Sequence, residues 1–211
     1  MSAPAQNQDV IRPSVERAAF SKPIFLMVNS LERGGTERQF VELSGSLKSA
    51  GCKVHLGCIQ KKGPFLNDLD GSGFQDLAQF GLGGSLYGVE SWKTRWRLMR
   101  HLRKNEIAVA HSFDFYVNLT LVPAAKLAGV PVIGSQRQLG DLLSPAQFRA
   151  QVEMFRWCDR VVCNSKAAAD RLLEAGLRGT KLVVIGNGLP AAAFAKTPPA
   201  LPRTEGVARV G

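Results

Sequence analysis

The feature that most constrains the fold of this chain is a short apolar run that leads through two glycines into a helix. Residues 23–29 read Pro-Ile-Phe-Leu-Met-Val-Asn, which is typical of a strand buried on both faces of a parallel sheet. Beyond Gly34 and Gly35 the apolar side chains recur at helical spacing, at Phe40, Leu43, Leu47 and Ala50. Gly51 is expected to end this helix. The stretch therefore predicts a strand, a turn and a helix, which together open a βαβ unit.

The start of this helix is the best candidate for a binding site. Gly34 and Gly35 let the backbone turn tightly and let a ligand approach without a Cβ in the way. The free N–H groups of a helix start favour an anion, so a phosphate or a phosphate-bearing sugar fits there. Glycines that serve only the turn would give the same pattern. Thr36 and Gln39 have capping-box spacing, so the helix is expected to begin at Thr36.

Strand and helix patterns alternate along the rest of the chain. They predict a doubly wound, mostly parallel, Rossmann-like α/β sheet with helices on both faces. The further strand patterns lie at residues 53–59, 74–80, 107–113, 130–133, 159–163 and 181–185. The carboxyl ends of parallel strands border the ligand crevice of such a sheet. Gly34, Gly35, His111 and Arg137 should therefore meet at one edge.

Composition limits the classes of protein that fit. The chain has 211 residues, 45% of them hydrophobic, which suits a globular core. It lacks the roughly 18-residue apolar run of a membrane span and a signal-peptide pattern, so a cytoplasmic protein is expected. Its four cysteines show no CxxC pair and no histidine at ligand spacing, which favours reduced thiols and no metal site. The net charge of +10 indicates an anionic partner, whether nucleic acid, anionic lipid or phosphorylated substrate.

The most basic stretch, residues 91–104, has two interpretations. Trp92, Trp96 and Met99 stand at i, i+4 and i+7 among six lysines and arginines. A crossover helix would bury that stripe against the sheet, and this is the arrangement we expect. A helix lying on an anionic membrane surface would instead expose the tryptophans beside the cations.

The two ends of the chain differ from its middle. Residues 1–20 have no periodicity and predict a flexible tail ahead of a domain at residues 21–190. Residues 191–206 are rich in alanine and proline, which is typical of a linker. Residues 207–211 begin another apolar strand, so a second domain is expected to start there.

Several motifs stand in an order that resembles a known family. They are Gly-Gly-Thr-Glu at 34–37, Ala-His-Ser at 110–112, Ala-Gly-Val-Pro at 128–131, Ser-Gln-Arg at 135–137, Cys-Asp-Arg-Val-Val-Cys-Asn-Ser-Lys at 158–166 and Val-Ile-Gly-Asn-Gly at 184–188. Over residues 23–190 the sequence resembles the N-terminal half of retaining glycosyltransferases of family 4, which have the GT-B fold. Phe113 stands where many members have a second histidine, and Gly186 where they usually have proline.

The resemblance implies half of an enzyme. It implies the acceptor-side domain of a hexosyltransferase-like glycosyltransferase, which moves a sugar from a nucleotide sugar to a hydroxyl of a glycan, a lipid-linked molecule or a small molecule. The nucleotide sugar would be the donor substrate, with no cofactor, no metal and no nucleic-acid partner. The paired glutamates of the family's second domain are absent from this sequence, so no catalytic residue is assigned and the chain alone is expected to be inactive. An anionic membrane surface at the inner face of the membrane is a further candidate partner.

Site residues follow from the same resemblance, position by position. Gly34, Gly35 and Thr36 would line the cleft against the phosphates and sugar of the donor. His111 and Arg137 would lie near the acceptor.

Glu37 and Asn187 are secondary candidates, the first beside the glycines and the second in the last motif.

Two other function classes fit parts of the sequence. A nucleotide-cofactor oxidoreductase is disfavoured, because no G-x-G-x-x-G follows the first strand and the second strand ends in Gln60, Lys61 and Lys62 instead of a ribose-binding acid. A stand-alone anion- or membrane-binding module without catalysis would account for the basic charge.

Overall fold

In a computed structural model of the chain, the described residues are 22–74, 76–83 and 88–188. They form a seven-stranded sheet in the order β3-β2-β1-β4-β5-β6-β7, and every neighbouring pair of strands is parallel. The strands are β1 Ile24–Val28, β2 Val54–Cys58, β3 Leu77–Gln79, β4 Val109–Ser112, β5 Val132–Gln136, β6 Arg160–Cys163 and β7 Leu182–Val184. The helices are α1 Gly35–Ser49, α2 Phe65–Gly71, α3 Val89–Lys104, α4 Phe115–Ala128, α5 Pro145–Trp157 and α6 Lys166–Glu174. The predicted doubly wound α/β fold is confirmed.

The sheet separates two apolar cores, and β1 at its centre contributes to both. Phe25 and Met27 pack with residues of α3, α4, α5 and α6 on one face. Ile24, Leu26 and Val28 pack with residues of α1 and α2 on the other face. Every residue of β1 is buried, because successive side chains of a strand point to opposite faces and both faces are covered here.

The predicted capping box at the start of α1 is wrong. The helix begins at Gly35 with Gly34 as its N-cap, and no side chain of the described residues caps it. Gln39 instead exchanges two hydrogen bonds with the backbone of Gly188, which follows β7. A tertiary partner has therefore replaced the local one. A capping box does form at the start of α5, between Ser144 and Gln147.

Other predicted boundaries shift by a few residues. Strand β5 continues through Gly134 to Gln136, whereas the strand pattern in the sequence ended at residue 133. A Cβ at Gly134 would lie 2.8 Å from the Phe155 ring, so this glycine lets α5 pack closely on the sheet. Gly51 ends α1 with φ of +85°, as expected, whereas Ala50 of the predicted apolar stripe is exposed. The predicted tail, linker and second-domain start lie outside the described residues.

The tryptophans of α3 do not form its buried stripe, which corrects the prediction for this helix. Trp92 is 62% exposed and Trp96 is 59% exposed, whereas Met99 is buried. The buried side chains of α3 are Ser91, Thr94, Arg95, Leu98, Met99 and Leu102. Small polar residues in its first turns allow close packing, and the Thr94 hydroxyl donates to the Gly81 carbonyl at 2.6 Å. The helix is a crossover helix that packs through a face other than the aromatic one.

None of the described helices combines the length and apolar character that a membrane-spanning segment requires. The four cysteines form no disulfide, and Cys58, Cys158 and Cys163 are buried, as expected for structural thiols.

Candidate functional site

Two adjacent pockets lie at the carboxyl edge of the sheet, on either side of the start of α1. The glycine pocket, of about 670 Å³, is lined by Arg33, Gly34, Gly35, Arg38, Gln39, Pro64, Phe65, Asp68 and Asn187. The arginine pocket, of about 370 Å³, includes Thr36, Glu37, Phe113, Asp114, Tyr116, Ser135, Arg137, Gln138, Gln147 and Gln151 in its lining. This edge is where open α/β sheets bind ligands.

Neither glycine at the start of α1 has an unusual backbone, and only Gly35 leaves open space. Gly34 has an extended backbone with φ of −164°, and Gly35 is the first residue of the helix. Neither is among the residues with positive φ. A Cβ built on Gly35 would meet no atom within 4 Å, whereas one on Gly34 would meet the Glu37 Oε2 at 2.2 Å. The turn therefore gives no conformational reason for glycine at position 35.

The electrostatics of this helix start suit an anion. The first N–H groups of an α-helix have no partner within the helix, and they carry the positive end of its dipole. Arg33 and Arg38 add cationic side chains to the glycine pocket, and Asp68 is the acid in its lining. Sequence reasoning missed both arginines, although they directly flank the Gly-Gly-Thr-Glu motif.

Arg137 and Asn187, which are 50 positions apart in sequence, meet between the two pockets. Arg137 Nη1 donates to Asn187 Oδ1 at 3.1 Å, and its guanidinium lies 5.0 Å from the centre of the Phe113 ring. Asn164 Nδ2 donates to the Arg137 carbonyl at 2.9 Å, which fixes the loop after β5. Burial lowers the pKa of Arg137, yet an arginine keeps its charge in proteins. The structure thus places a cation where the two pockets meet.

His111 lies one layer beneath the arginine pocket and lines neither pocket. It is only 7% exposed, its Nε2 lies 2.8 Å from Ser135 Oγ, and its ring lies 4.5 Å from that of Phe113. Burial, and then the charge of Arg137, lower the pKa of His111 to about 3. The imidazole is therefore neutral at pH 7 and supports Phe113 and Ser135, and its contact with a substrate stays a prediction.

Asp114 is a site residue that sequence reasoning missed. Its carboxylate accepts from the Asn29 amide at 2.6 Å and from the Val117 amide at 3.1 Å, so it ties the end of β1 to the start of α4. Burial raises the pKa of Asp114 to about 6, and the Glu37 carboxylate adds to this shift although the amide hydrogen bonds oppose it. An aspartate between a strand and a helix is the signal that could have identified it.

Comparison with known proteins defines the class of protein to which this site belongs. Residues 33–192 match the model of Glycosyltransferase Family 4, and the chain is a member of that family. Gly34, Gly35, Arg137 and Asn187 all lie within the matched range. Among curated protein sequences no significant match was found.

Solved structures share the fold. HepE of Anabaena in complex with UDP is 18% identical with a TM-score of 0.70, over 83% of this chain and 47% of its own. A glycosyltransferase from Rickettsia africae ESF-5 is 17% identical with a TM-score of 0.64, over 84% of this chain and 47% of its own. The lipopolysaccharide outer core galactosyltransferase WaaB is 14% identical with a TM-score of 0.62, over 79% and 46%. This chain thus spans about half the length of the structures it matches.

Proposed function

We propose that this chain is the acceptor-side domain of a retaining glycosyltransferase, which transfers a hexose from a UDP-sugar to a hydroxyl acceptor. The observation that carries the proposal is the start of α1, where Gly35 leaves open space between two pockets at the carboxyl edge of the sheet. Membership of family 4 supports the reaction class, and the UDP complex of HepE supports the donor class.

On the donor side, the start of α1 would stabilise the leaving diphosphate. Negative charge develops on the diphosphate as the sugar departs, and N–H groups already aimed at that charge lower the barrier without reorganisation. Arg33 and Arg38 line the same pocket and would add to the field. A second domain would supply the other wall of the cleft and most contacts to the donor, because the chain covers about half of the matched structures.

On the acceptor side, the arginine pocket suits a molecule rich in hydroxyls. Glu37 and Asp114 are hydrogen-bond acceptors, whereas Tyr116 and Arg137 are donors, and all four line this pocket. Such a mixture can orient several hydroxyls at once, which is what a sugar or polyol acceptor requires. The Arg137 guanidinium lies over the Phe113 ring, which forms an apolar part of the pocket lining.

The proposal is tested with the full-length product of the gene's reading frame, supplied with UDP-glucose or UDP-galactose and a panel of hydroxyl acceptors. We expect transfer with the anomeric configuration of the donor retained, as measured by NMR of the product. Arg137→Ala should lower kcat/KM at least about tenfold, which corresponds to roughly 1.4 kcal/mol of lost transition-state stabilisation. Arg149→Ala, at an exposed position on α5 outside both pockets, should leave turnover unchanged.

Three results would contradict the proposal. They are inversion at the anomeric carbon, an equal loss of activity in both arginine variants, and sugar transfer by the 211-residue chain alone. The last is decisive because the reaction needs a cleft with two walls to position donor and acceptor. Absence of transfer from any UDP-sugar by the full-length protein would favour the non-catalytic binding module.

A further inference from the structure

We propose that the outward face of α3 is a docking surface for an anionic lipid bilayer. Its outward residues are Val89, Trp92, Lys93, Trp96, Arg100 and Arg103, which recur at three- and four-residue spacing and so form one stripe along the helix. This lipid-docking face does not depend on the proposed function, because bilayer binding is measured without turnover.

The lipid-docking face exposes more apolar side chain than is usual for a helix face in contact only with water. Val89 is 71% exposed, Trp92 is 62% exposed and Trp96 is 59% exposed. Leu127, at the end of α4, is 52% exposed and lies beside this face, because Arg103 Nη2 donates to its carbonyl at 2.6 Å. Single exposed apolar residues are common, but two indoles on successive turns form a patch.

Cations surround this patch. The exposed cations of α3 are Lys93, Arg97, Arg100, Arg103 and Lys104, against the single acid Glu90. Glu90 pairs with Lys93 at 2.7 Å, and Arg97 donates to the Thr94 hydroxyl at 3.2 Å. Arg100 and Lys104 form no ion pair within the part of the chain that the structure describes. Their charges are therefore available to a partner.

The combination of indoles and cations favours a bilayer over other anionic partners. Trp is enriched at the membrane–water interface because its ring is apolar with one polar N–H, and long cationic side chains reach past it to the headgroups. Charge complementarity selects anionic headgroups, because each cation near the surface adds to the attraction. A nucleic acid would bind through the same cations, so the experiment must distinguish nucleic-acid binding from bilayer binding.

The fold presents this face ready for binding. Buried Leu98, Met99 and Leu102 hold the opposite side of α3 in the core, so docking requires no unfolding of the helix. Thr94 ties the first half of the helix to Gly81, and Arg103 ties its last turn to α4. Since both indoles are more than half exposed, replacing them should change the stability of the fold only slightly.

The test uses the 211-residue chain and vesicles of phosphatidylglycerol mixed with phosphatidylcholine, with pure phosphatidylcholine vesicles as the neutral comparison. We expect co-sedimentation with the mixed vesicles only, weakened by salt. In a Trp157→Phe background, where Trp92 and Trp96 are the remaining indoles, the emission should shift to the blue on binding. A Trp92→Ala, Trp96→Ala double variant should lose at least tenfold in partitioning while keeping the wild-type Tm.

A matched pair of charge reversals tests the location of the site. Arg100→Glu and Arg149→Glu change the net charge equally at exposed helical positions, the first on the lipid-docking face and the second on α5. Only Arg100→Glu should weaken vesicle binding, by about tenfold. Equal effects of the two reversals, no binding to anionic vesicles, or unchanged binding by the double tryptophan variant would each overturn the proposal. Single-stranded RNA is tested in parallel. If the double tryptophan variant lost binding to RNA but kept binding to vesicles, the proposal would also fail.

Discussion

The guanidinium of Arg95 donates to the main-chain carbonyl of Leu119, at 3.3 Å from Nε and 3.2 Å from Nη2. Pro123 lies four residues further along α4 and has no N–H, so this carbonyl lacks its usual helical donor. Arg95 supplies a replacement from α3 and is itself only 9% exposed. Arg95 thus belongs to the buried face of α3, whereas Trp92 and Trp96 are more than half exposed.

Replacing Arg95 should destabilise the fold. Arg95→Met removes the donor to the buried Leu119 carbonyl, and an unsatisfied buried acceptor costs about 1–3 kcal/mol. Urea denaturation of both proteins measures the difference. In a Pro123→Ala background the helix gains an N–H for this carbonyl, so the cost of Arg95→Met should be smaller. An unchanged cost in that background would show that the carbonyl is not the group that Arg95 stabilises.

The tryptophans of α3 should contribute little to stability. Both rings are more than half exposed, so Trp92→Ala or Trp96→Ala should change the free energy of unfolding by less than about 1 kcal/mol. Leu98→Ala, in the fully buried face of the same helix, should cost about 2–5 kcal/mol. Chemical denaturation of the three variants makes the comparison. A tryptophan variant as unstable as Leu98→Ala would mean that the aromatic face is buried.

Gly35→Ala should separate ligand approach from backbone conformation. A Cβ at this position meets open space and the backbone is helical, so the variant should keep or slightly raise the Tm, with a gain of at most about 1 kcal/mol. In the full-length enzyme it should nevertheless lower sugar transfer, because the methyl group lies where the donor phosphates would approach. Tm and transfer rate are measured on the same preparations.

Gly45→Ala is the matched control for that variant. Gly45 lies in the middle of α1, and a Cβ there also meets no atom within 4 Å, so the conformational effect is similar without any effect on the cleft. Gly45→Ala should therefore retain full activity. If Gly35→Ala is as active as Gly45→Ala, the helix start does not bind the donor.

His111 should make stability depend on pH. Its pKa is lowered from 6.5 to about 3 in the folded protein, so between these values the unfolded chain binds the additional proton. The contribution of His111 is fully present above pH 6.5 and is lost as the pH falls through that window. His111→Gln cannot titrate, so its urea midpoint should fall less than that of wild type between pH 7 and pH 4. If the urea midpoints of the two proteins fell equally with pH, the acid sensitivity would belong to other groups.

Local patterns were sufficient to predict the strands and the C-terminal end of α1. The apolar run at β1 and the glycine at position 51 act through the backbone of their own segment, and the structure confirms both. The edge that carries the candidate site also followed from the pattern, because strands joined by helices must run parallel. Such patterns do not identify which residues far apart in the sequence come into contact in the fold.

The sequence by itself determined the order of elements, the parallel sheet and the glycine-rich helix start. Only the tertiary structure decided which face of α3 is buried, since that face packs on the core and donates from Arg95 to a carbonyl that Pro123 leaves open in another helix. It also decided that Gln39 binds Gly188 rather than its own helix start. Both outcomes depend on hydrogen bonds between segments far apart in the chain. Propensity and periodicity describe one segment at a time, so they cannot identify such partners.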